Sequence, residues 1–102
     1  MDKQRFKEIV EERKAICNKI DEAYTQILYP ETRAAGLQAL EGVRGKDRAV
    51  PVIMGYAHEL HYYDSHDKAE ALKAIQEYEF AMKIGDYNFL QGYIDKLNED
   101  LQ

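Results

Sequence analysis

The chain has 102 residues, of which 45% are hydrophobic and 32% charged, and its net charge is −5. This length and composition are those of one small globular domain spanning residues 1–102. Its scarcity of proline (2) and glycine (6) argues against a disordered or all-β chain. The longest uncharged stretch, residues 49–58, falls well short of the roughly 20 residues that a membrane-spanning helix needs.

The cysteine content and the N-terminal residues indicate the compartment. Cys17 is the only cysteine, so no disulfide can form within the chain, which fits a reducing environment. The first residues, MDKQRFKEIVEERK, are too highly charged for a secretory signal. We therefore expect a cytoplasmic protein with no membrane association.

Apolar residues recur at helical spacing along residues 2–28, which predicts one long N-terminal helix. Arg13 falls within the apolar stripe, where it would extend its charged end to water or pair with a carboxylate of another helix. Cys17 would be buried as a small hydrophobic side chain, which argues against a nucleophilic role. The predicted stripe comprises Phe6, Ile9, Val10, Ile16, Cys17, Ile20, Ala23, Tyr24, Ile27 and Leu28.

The two prolines mark the starts of the next two predicted helices. Pro30 disfavours helix at the residue before it but suits the first turn of a short helix over residues 31–43. Residues 44–49, RGKDRA, form the predicted loop. Pro51 then starts a third helix over residues 51–63, whose clustered side chains are Val50, Ile53, Met54, Ala57, Leu60 and His61.

Two further helices are predicted over residues 66–84 and 87–101. Asp64 or Ser65 is the expected N-cap of the fourth helix, and Asp86 that of the fifth. Gly85 is expected to end the fourth helix in the left-handed conformation. The predicted buried side chains are Ala71, Leu72, Ile75, Tyr78 and Met82 in the fourth helix, and Leu90, Tyr93, Ile94, Leu97 and Leu101 in the fifth.

These elements define the predicted fold. It is all-α: a single compact bundle of four to five helices, with one long N-terminal helix and a C-terminal helical hairpin. The hairpin follows from the short connection between the last two helices.

The sequence HELHYYDSHD, residues 58–67, is the densest group of polar side chains. His58, His61 and Asp64 recur every three residues, so they could share a helix face and hold a metal ion. The spacing is one residue shorter than the H-E-x-x-H zinc motif, and no Glu-x-x-His pair of the di-iron bundles occurs. The simpler interpretation is that His61 borders the core, His58 lies beside it, and the two aspartates cap helices.

Other chemical motifs are absent from the sequence. No nucleotide-binding glycine motif occurs, so we expect no catalytic residues and no cofactor. Arg33, Arg44, Lys46 and Arg48 could contact a nucleic acid, but residues 51–102 carry ten carboxylates against four cations. Such an acidic half disfavours nucleic-acid binding.

Some apolar side chains fall outside the predicted core faces. Phe80 and Ile84 lie opposite Ile75 on the fourth helix, and Tyr56 and Tyr63 lie opposite the core face of the third, with Tyr62 between the two faces. Exposed aromatic side chains at helical spacing are typical of protein interfaces. The alternative is that a neighbouring helix covers this second face.

The sequence therefore favours a non-enzymatic protein that acts by binding a protein partner or a second copy of itself, as a regulator, inhibitor, immunity protein or adaptor. The expected contact residues are Tyr56, Tyr62, Tyr63, Phe80 and Ile84. The alternative is a protein that binds a metal or small ligand through His58, His61 and Asp64.

Overall fold

The computed structural model describes residues 2–102, and within that range it contains five α-helices and no β-strand. This confirms the all-α prediction, including the long first helix and the C-terminal hairpin. The helices are α1 (Lys3–Ile27), α2 (Arg33–Glu41), α3 (Val50–Ser65), α4 (Lys68–Ile84) and α5 (Leu90–Leu101).

The helices pack mainly against their neighbours in sequence. The principal contacts join α1 to α2, α3 to α4 and α4 to α5, whereas in the described chain no Cα atom of α1 lies within 8 Å of a Cα atom of α5. The Cα positions extend over 57 × 30 × 16 Å, and their radius of gyration is 15.4 Å. A compact domain of this length has a radius of gyration of about 13 Å, so the bundle is flattened and elongated.

Helix α3 belongs to both hydrophobic clusters of the protein. The first cluster joins α1, α2 and α3 through Ile20, Ala23, Ile27, Leu40, Val43, Val50, Met54 and Ala57. The second joins α3, α4 and α5 through Tyr62, Ala71, Ala74, Ile75, Tyr78, Ala81, Leu90, Ile94 and Leu97. The placement of α1 relative to α5 therefore depends on α3.

Only the second half of the α1 stripe is buried. Residues 2–15 are all exposed, so the predicted burial of Phe6, Ile9 and Val10 is wrong. Cys17 is also exposed, because α2 covers α1 only from about Ile20 onward. The helical periodicity predicted for α1 is therefore confirmed, but half of the apolar face of α1 has no neighbouring helix.

The predicted helix termini also need correction. Asp67, rather than Asp64 or Ser65, is the N-cap of α4, and its carboxylate accepts a hydrogen bond from Ala69 N at 3.0 Å. Phe89, rather than Asp86, precedes the first residue of α5. Gly85 is extended instead of left-handed, and a Cβ there would lie 2.6 Å from the Tyr87 ring.

Leu72 of α4, which was predicted to be buried, is exposed.

Helix α2 lies close to α1 because Gly36 faces it. A Cβ at Gly36 would lie 2.6 Å from Ile27 Cγ2 and 2.8 Å from the carbonyl oxygen of Ala23. Arg33, one turn earlier, is buried, and its Nε donates a hydrogen bond to the Ile27 carbonyl at 2.8 Å. Gly36 therefore lets α2 approach α1 closely, and the Arg33 guanidinium group bonds to a carbonyl at the end of α1.

Replacing Gly36 with alanine is expected to lower the free energy of unfolding by about 1–3 kcal/mol, because the added methyl group must displace the α1 backbone. The matched control is Gly92→Ala on α5, where a Cβ would meet no atom within 4 Å. Gly92→Ala is expected to raise the free energy of unfolding by about 0.5–1 kcal/mol. Urea denaturation measures both, and equal effects would contradict the close approach of α1 and α2.

Candidate protein-binding groove

A groove lies between α1 and α5, where these two helices do not meet. Its floor comes from α3 and α4, and its volume is about 430 Å³. Aromatic side chains from all four helices dominate its lining. The lining residues are Tyr24, Val52, Ile53, Tyr56, Tyr78, Phe89, Leu90 and Tyr93.

The α5 wall of the groove is a connected set of aromatic rings. The ring centroid of Tyr93 lies 6.0 Å from that of Tyr78 and 6.2 Å from that of Phe89, the latter pair edge to face. Phe89 is 60% exposed and Tyr93 45% exposed. Because neighbouring rings restrict one another, the wall offers a large apolar surface with little conformational freedom left to lose on binding.

A buried polar contact fixes the groove floor. Tyr78 packs against Gly55, where a Cβ would lie 2.5 Å from its ring. The Tyr78 hydroxyl donates to Glu59 Oε1 at 2.6 Å, and the Tyr63 hydroxyl donates to Glu59 Oε2 at 2.8 Å. Burial and the adjacent Glu59 carboxylate raise the pKa of both tyrosines above the ordinary value. Both hydroxyls therefore stay protonated and serve as hydrogen-bond donors.

The five predicted contact residues do not form one surface. Tyr56 lines the groove, whereas Tyr63 is not among its lining residues and has the Lys96 ammonium group 5.5 Å from its ring centroid. Tyr62 is only 9% exposed and belongs to the core, so its prediction as a contact residue needs correction. Phe80 and Ile84 are exposed as predicted, but they lie on a separate patch near Arg48 and Pro51.

The three exposed aromatic residues of the groove, Tyr24, Phe89 and Tyr93, were not among the predicted contacts. Tyr24 and Tyr93 fit their helical stripes, so their spacing predicted burial. Their exposure reflects the gap between α1 and α5, and helical periodicity within one segment does not predict such a gap. The high tyrosine content, eight residues, was the available compositional signal.

The histidine cluster lines a second cleft of about 500 Å³, which α2, α3 and α4 form together. His58 Nδ1 lies 2.6 Å from Glu70 Oε2, and His61 Nδ1 lies 3.6 Å from the same oxygen. Asp64 instead accepts a hydrogen bond from Arg33 at 2.9 Å. His58 is largely buried, whereas His61, expected to border the core, is about half exposed.

These contacts do not favour the His58–His61–Asp64 metal site. The two imidazoles converge on Glu70, a carboxylate that was not among the predicted ligands, while Asp64 pairs with a guanidinium group. Between residues 2 and 102, no group of three or more histidine, cysteine, aspartate or glutamate side chains has an arrangement suited to a metal ion.

Glu70 is a buried carboxylate with several donors around it. Burial by itself would raise its pKa, but hydrogen bonds from His58 and Lys73 outweigh that effect and lower the pKa below its ordinary value of 4.5. Its position in the first turn of α4 also suits a negative charge. Glu70 therefore links α3 to the start of α4.

The predicted basic cluster is largely paired with carboxylates. Arg44 Nη2 donates to Glu77 Oε2 at 2.7 Å, and its Nε donates to Glu41. The bond to Glu77 is the largest cause of the raised pKa of Arg44. Since Arg33 is buried against Asp64, two of the four cations proposed for nucleic-acid contact are already engaged. Arg13 likewise pairs with Asp47, in the loop rather than in another helix.

Comparison with known proteins adds no functional information. No family model, curated protein or solved structure matches the chain. None of the helices in the described residues is both long enough and apolar enough to span a bilayer.

Replacing Tyr78 with phenylalanine is expected to lower the free energy of unfolding by about 1.5–3 kcal/mol, because the buried Glu59 carboxylate loses a donor. The matched control is Tyr93→Phe, which removes a hydroxyl from a half-exposed ring. That change should stay within about 0.5 kcal/mol of the wild type. Denaturant unfolding at neutral pH gives both values, and an unchanged Y78F variant would contradict the role of this hydrogen bond.

The Glu70 contacts predict a defined pH dependence. Because the pKa of Glu70 is lower in the folded protein, its ionised form stabilises the fold above pH 4.5, and this stability is lost as the pH falls through the folded-state value. The wild type should therefore exceed Glu70→Gln in stability at neutral pH, and the difference should shrink below pH 4.5. Denaturant titrations across this range measure the difference, and one that grew on acidification would refute the assignment.

Proposed function

We propose that this protein acts by binding another polypeptide in the groove between α1 and α5, without catalysing a reaction. The observation that carries the proposal is an exposed aromatic wall, Phe89 and Tyr93, facing a gap that no helix of the described chain fills. Hydrophobic grooves accept the apolar face of amphipathic helices, and tyrosine is enriched among the residues that contribute most to binding.

The arrangement of polar groups supports binding rather than chemistry at this site. Within residues 2–102, the groove lining contains no acidic, histidine or cysteine side chain, and the Glu59 carboxylate that accepts from the Tyr78 hydroxyl also accepts from Tyr63. Among the described residues, every buried side-chain nitrogen or oxygen has a hydrogen-bond partner. The groove therefore offers apolar contact, with tyrosine hydroxyls at its edge for orientation.

A regulator, inhibitor, immunity protein or adaptor is the class of protein that this groove suits. Each of these acts by occupying or presenting a surface, and a rigid helical scaffold holds the aromatic contacts in place for that purpose. A cytoplasmic site of action belongs to the same proposal, and the unpaired thiol of Cys17 supports it.

Replacing Tyr93 with alanine should weaken partner binding about thirtyfold, the equivalent of roughly 2 kcal/mol at an interface hot spot. The matched control is Phe80→Ala, which removes an aromatic ring of nearly equal exposure, 46% against 45%, on the separate α4 patch. The measurement is quantitative recovery of co-purifying protein on immobilised full-length chain from an extract of the native host.

We expect wild type and F80A to recover the same protein, and Y93A to recover much less of it. Thermal unfolding of all three variants checks that the folds are equally stable. Equal recovery by Y93A and wild type would refute the groove as the binding site. Reduced recovery by F80A alone would indicate that the partner binds the α4 patch instead.

A further inference from the structure

The first half of α1 is a helix with an apolar face and no neighbour. Phe6 is 54% exposed, Ile9 43% and Val10 48%. Together they continue the stripe that Ile20 and Ile27 bury farther along the same helix. We call this exposed segment, residues 3–13, the α1 tip. It is the kind of amphipathic helical face that helix-binding grooves accept.

The tip cannot reach the groove of its own chain. Helix α1 is continuous from Lys3 to Ile27, so Ile9 and Tyr24 are separated by fifteen residues of straight helix, which is about 22 Å. The tip and the groove are therefore two exposed apolar surfaces on one rigid molecule, and the tip can enter only the groove of another copy.

The charges of the two surfaces are complementary. The α1 tip, residues 3–13, carries four cations, Lys3, Arg5, Lys7 and Arg13, against three carboxylates, which is a net charge of +1. Residues 86–102, which include the α5 wall of the groove, carry four carboxylates against one cation. Opposite charges around an apolar contact favour encounter and fix its orientation.

The volume of the groove also matches the size of the apolar side chains on the α1 tip. A cavity of about 150 Å³ holds a benzene ring, so the groove of about 430 Å³ accommodates roughly three such groups. The α1 tip presents three apolar side chains, Phe6, Ile9 and Val10, within little more than one helical turn. One such contact is small compared with the roughly 1,200–2,000 Å² of a stable interface, so a lasting dimer needs two.

We propose that the occupant of the groove is the α1 tip of a second copy, and that two copies exchange tips reciprocally in a twofold dimer. This inference rests on the proposed function, because it names the partner of the same groove. Reciprocal exchange closes the assembly and buries both apolar surfaces of both chains, whereas a one-way contact would leave one tip and one groove exposed.

The test is sedimentation equilibrium of the purified full-length protein over a range of concentrations. The wild type should dimerise, and Ile9→Glu and Tyr93→Ala should each raise the dissociation constant at least tenfold. The matched controls are Leu72→Glu and Phe80→Ala, which alter exposed apolar residues of α4 outside the groove lining, and these should dimerise like the wild type.

Mixing the variants gives a readout specific to reciprocal exchange. An I9E pair and a Y93A pair each lose both tip–groove contacts, whereas a mixed pair keeps one unaltered contact, the tip of Y93A in the groove of I9E, and has both substitutions in the other contact. Because a contact that one substitution has abolished loses nothing more from the second, the mixture should associate more tightly than either variant alone. Dimerisation that I9E weakens but Y93A does not would show that the tips bind elsewhere and would overturn the inference, as would the absence of any gain on mixing.

A monomeric wild type at all concentrations would also overturn this inference. The proposed function would then still stand if Y93A, but not F80A, failed to recover a different protein from the extract. If instead neither self-association nor recovery depended on Tyr93, the groove would have no binding role and both proposals would fail.

Discussion

The packing of the Tyr78 ring against Gly55 is the contact on which the rest of the fold depends. A glycine at this position of α3 lets a large side chain of α4 lie directly on the helix backbone. The hydroxyl then reaches Glu59, one turn farther along α3, and gives that buried carboxylate a donor. This one residue therefore fixes both the separation and the register of α3 and α4.

The two sides of this central pair determine the shape of the molecule. Helices α1 and α2 pack on one side of α3, and α5 packs on α4, so α1 and α5 lie apart with the central pair between them. No helix of the described chain covers the groove face of this pair, because Phe89 and Tyr93 at its edge are 60% and 45% exposed. The groove is thus the space that another helix would fill, with the Tyr78 ring in its floor, and the proposed function follows from this gap.

The order and approximate bounds of all five helices could be predicted, because helical periodicity, two prolines and a glycine–aspartate pair mark them locally. What local pattern could not supply was the neighbour of each face. Phe6 and Ile20 follow the same stripe, yet only Ile20 is buried. Tyr93 likewise fits the α5 stripe but lies at the edge of an unfilled groove.

Local sequence pattern also could not show which polar side chains pair with one another. Glu70 binds His58 across twelve positions, and Asp64 binds Arg33 across thirty-one. The spacing of residues 58–64 suggested that the two histidines and Asp64 act together, but partners distant in sequence separate them. Of the predicted contact residues, Tyr56 lines the groove, whereas Phe80 lies on a separate patch. Sequence pattern could not show which exposed aromatic side chains would share one surface.

Nuclear Overhauser contacts between tyrosine rings and their surroundings test the central claim most directly. In protein with isotope-labelled tyrosine and glycine, we expect cross-peaks between the Tyr78 ring and the Gly55 α-protons. We also expect none between the rings of Tyr24 and Tyr93 of one chain. A Tyr24–Tyr93 cross-peak within one chain, or a Tyr78 ring remote from Gly55, would show that the open groove on the α3–α4 pair does not exist.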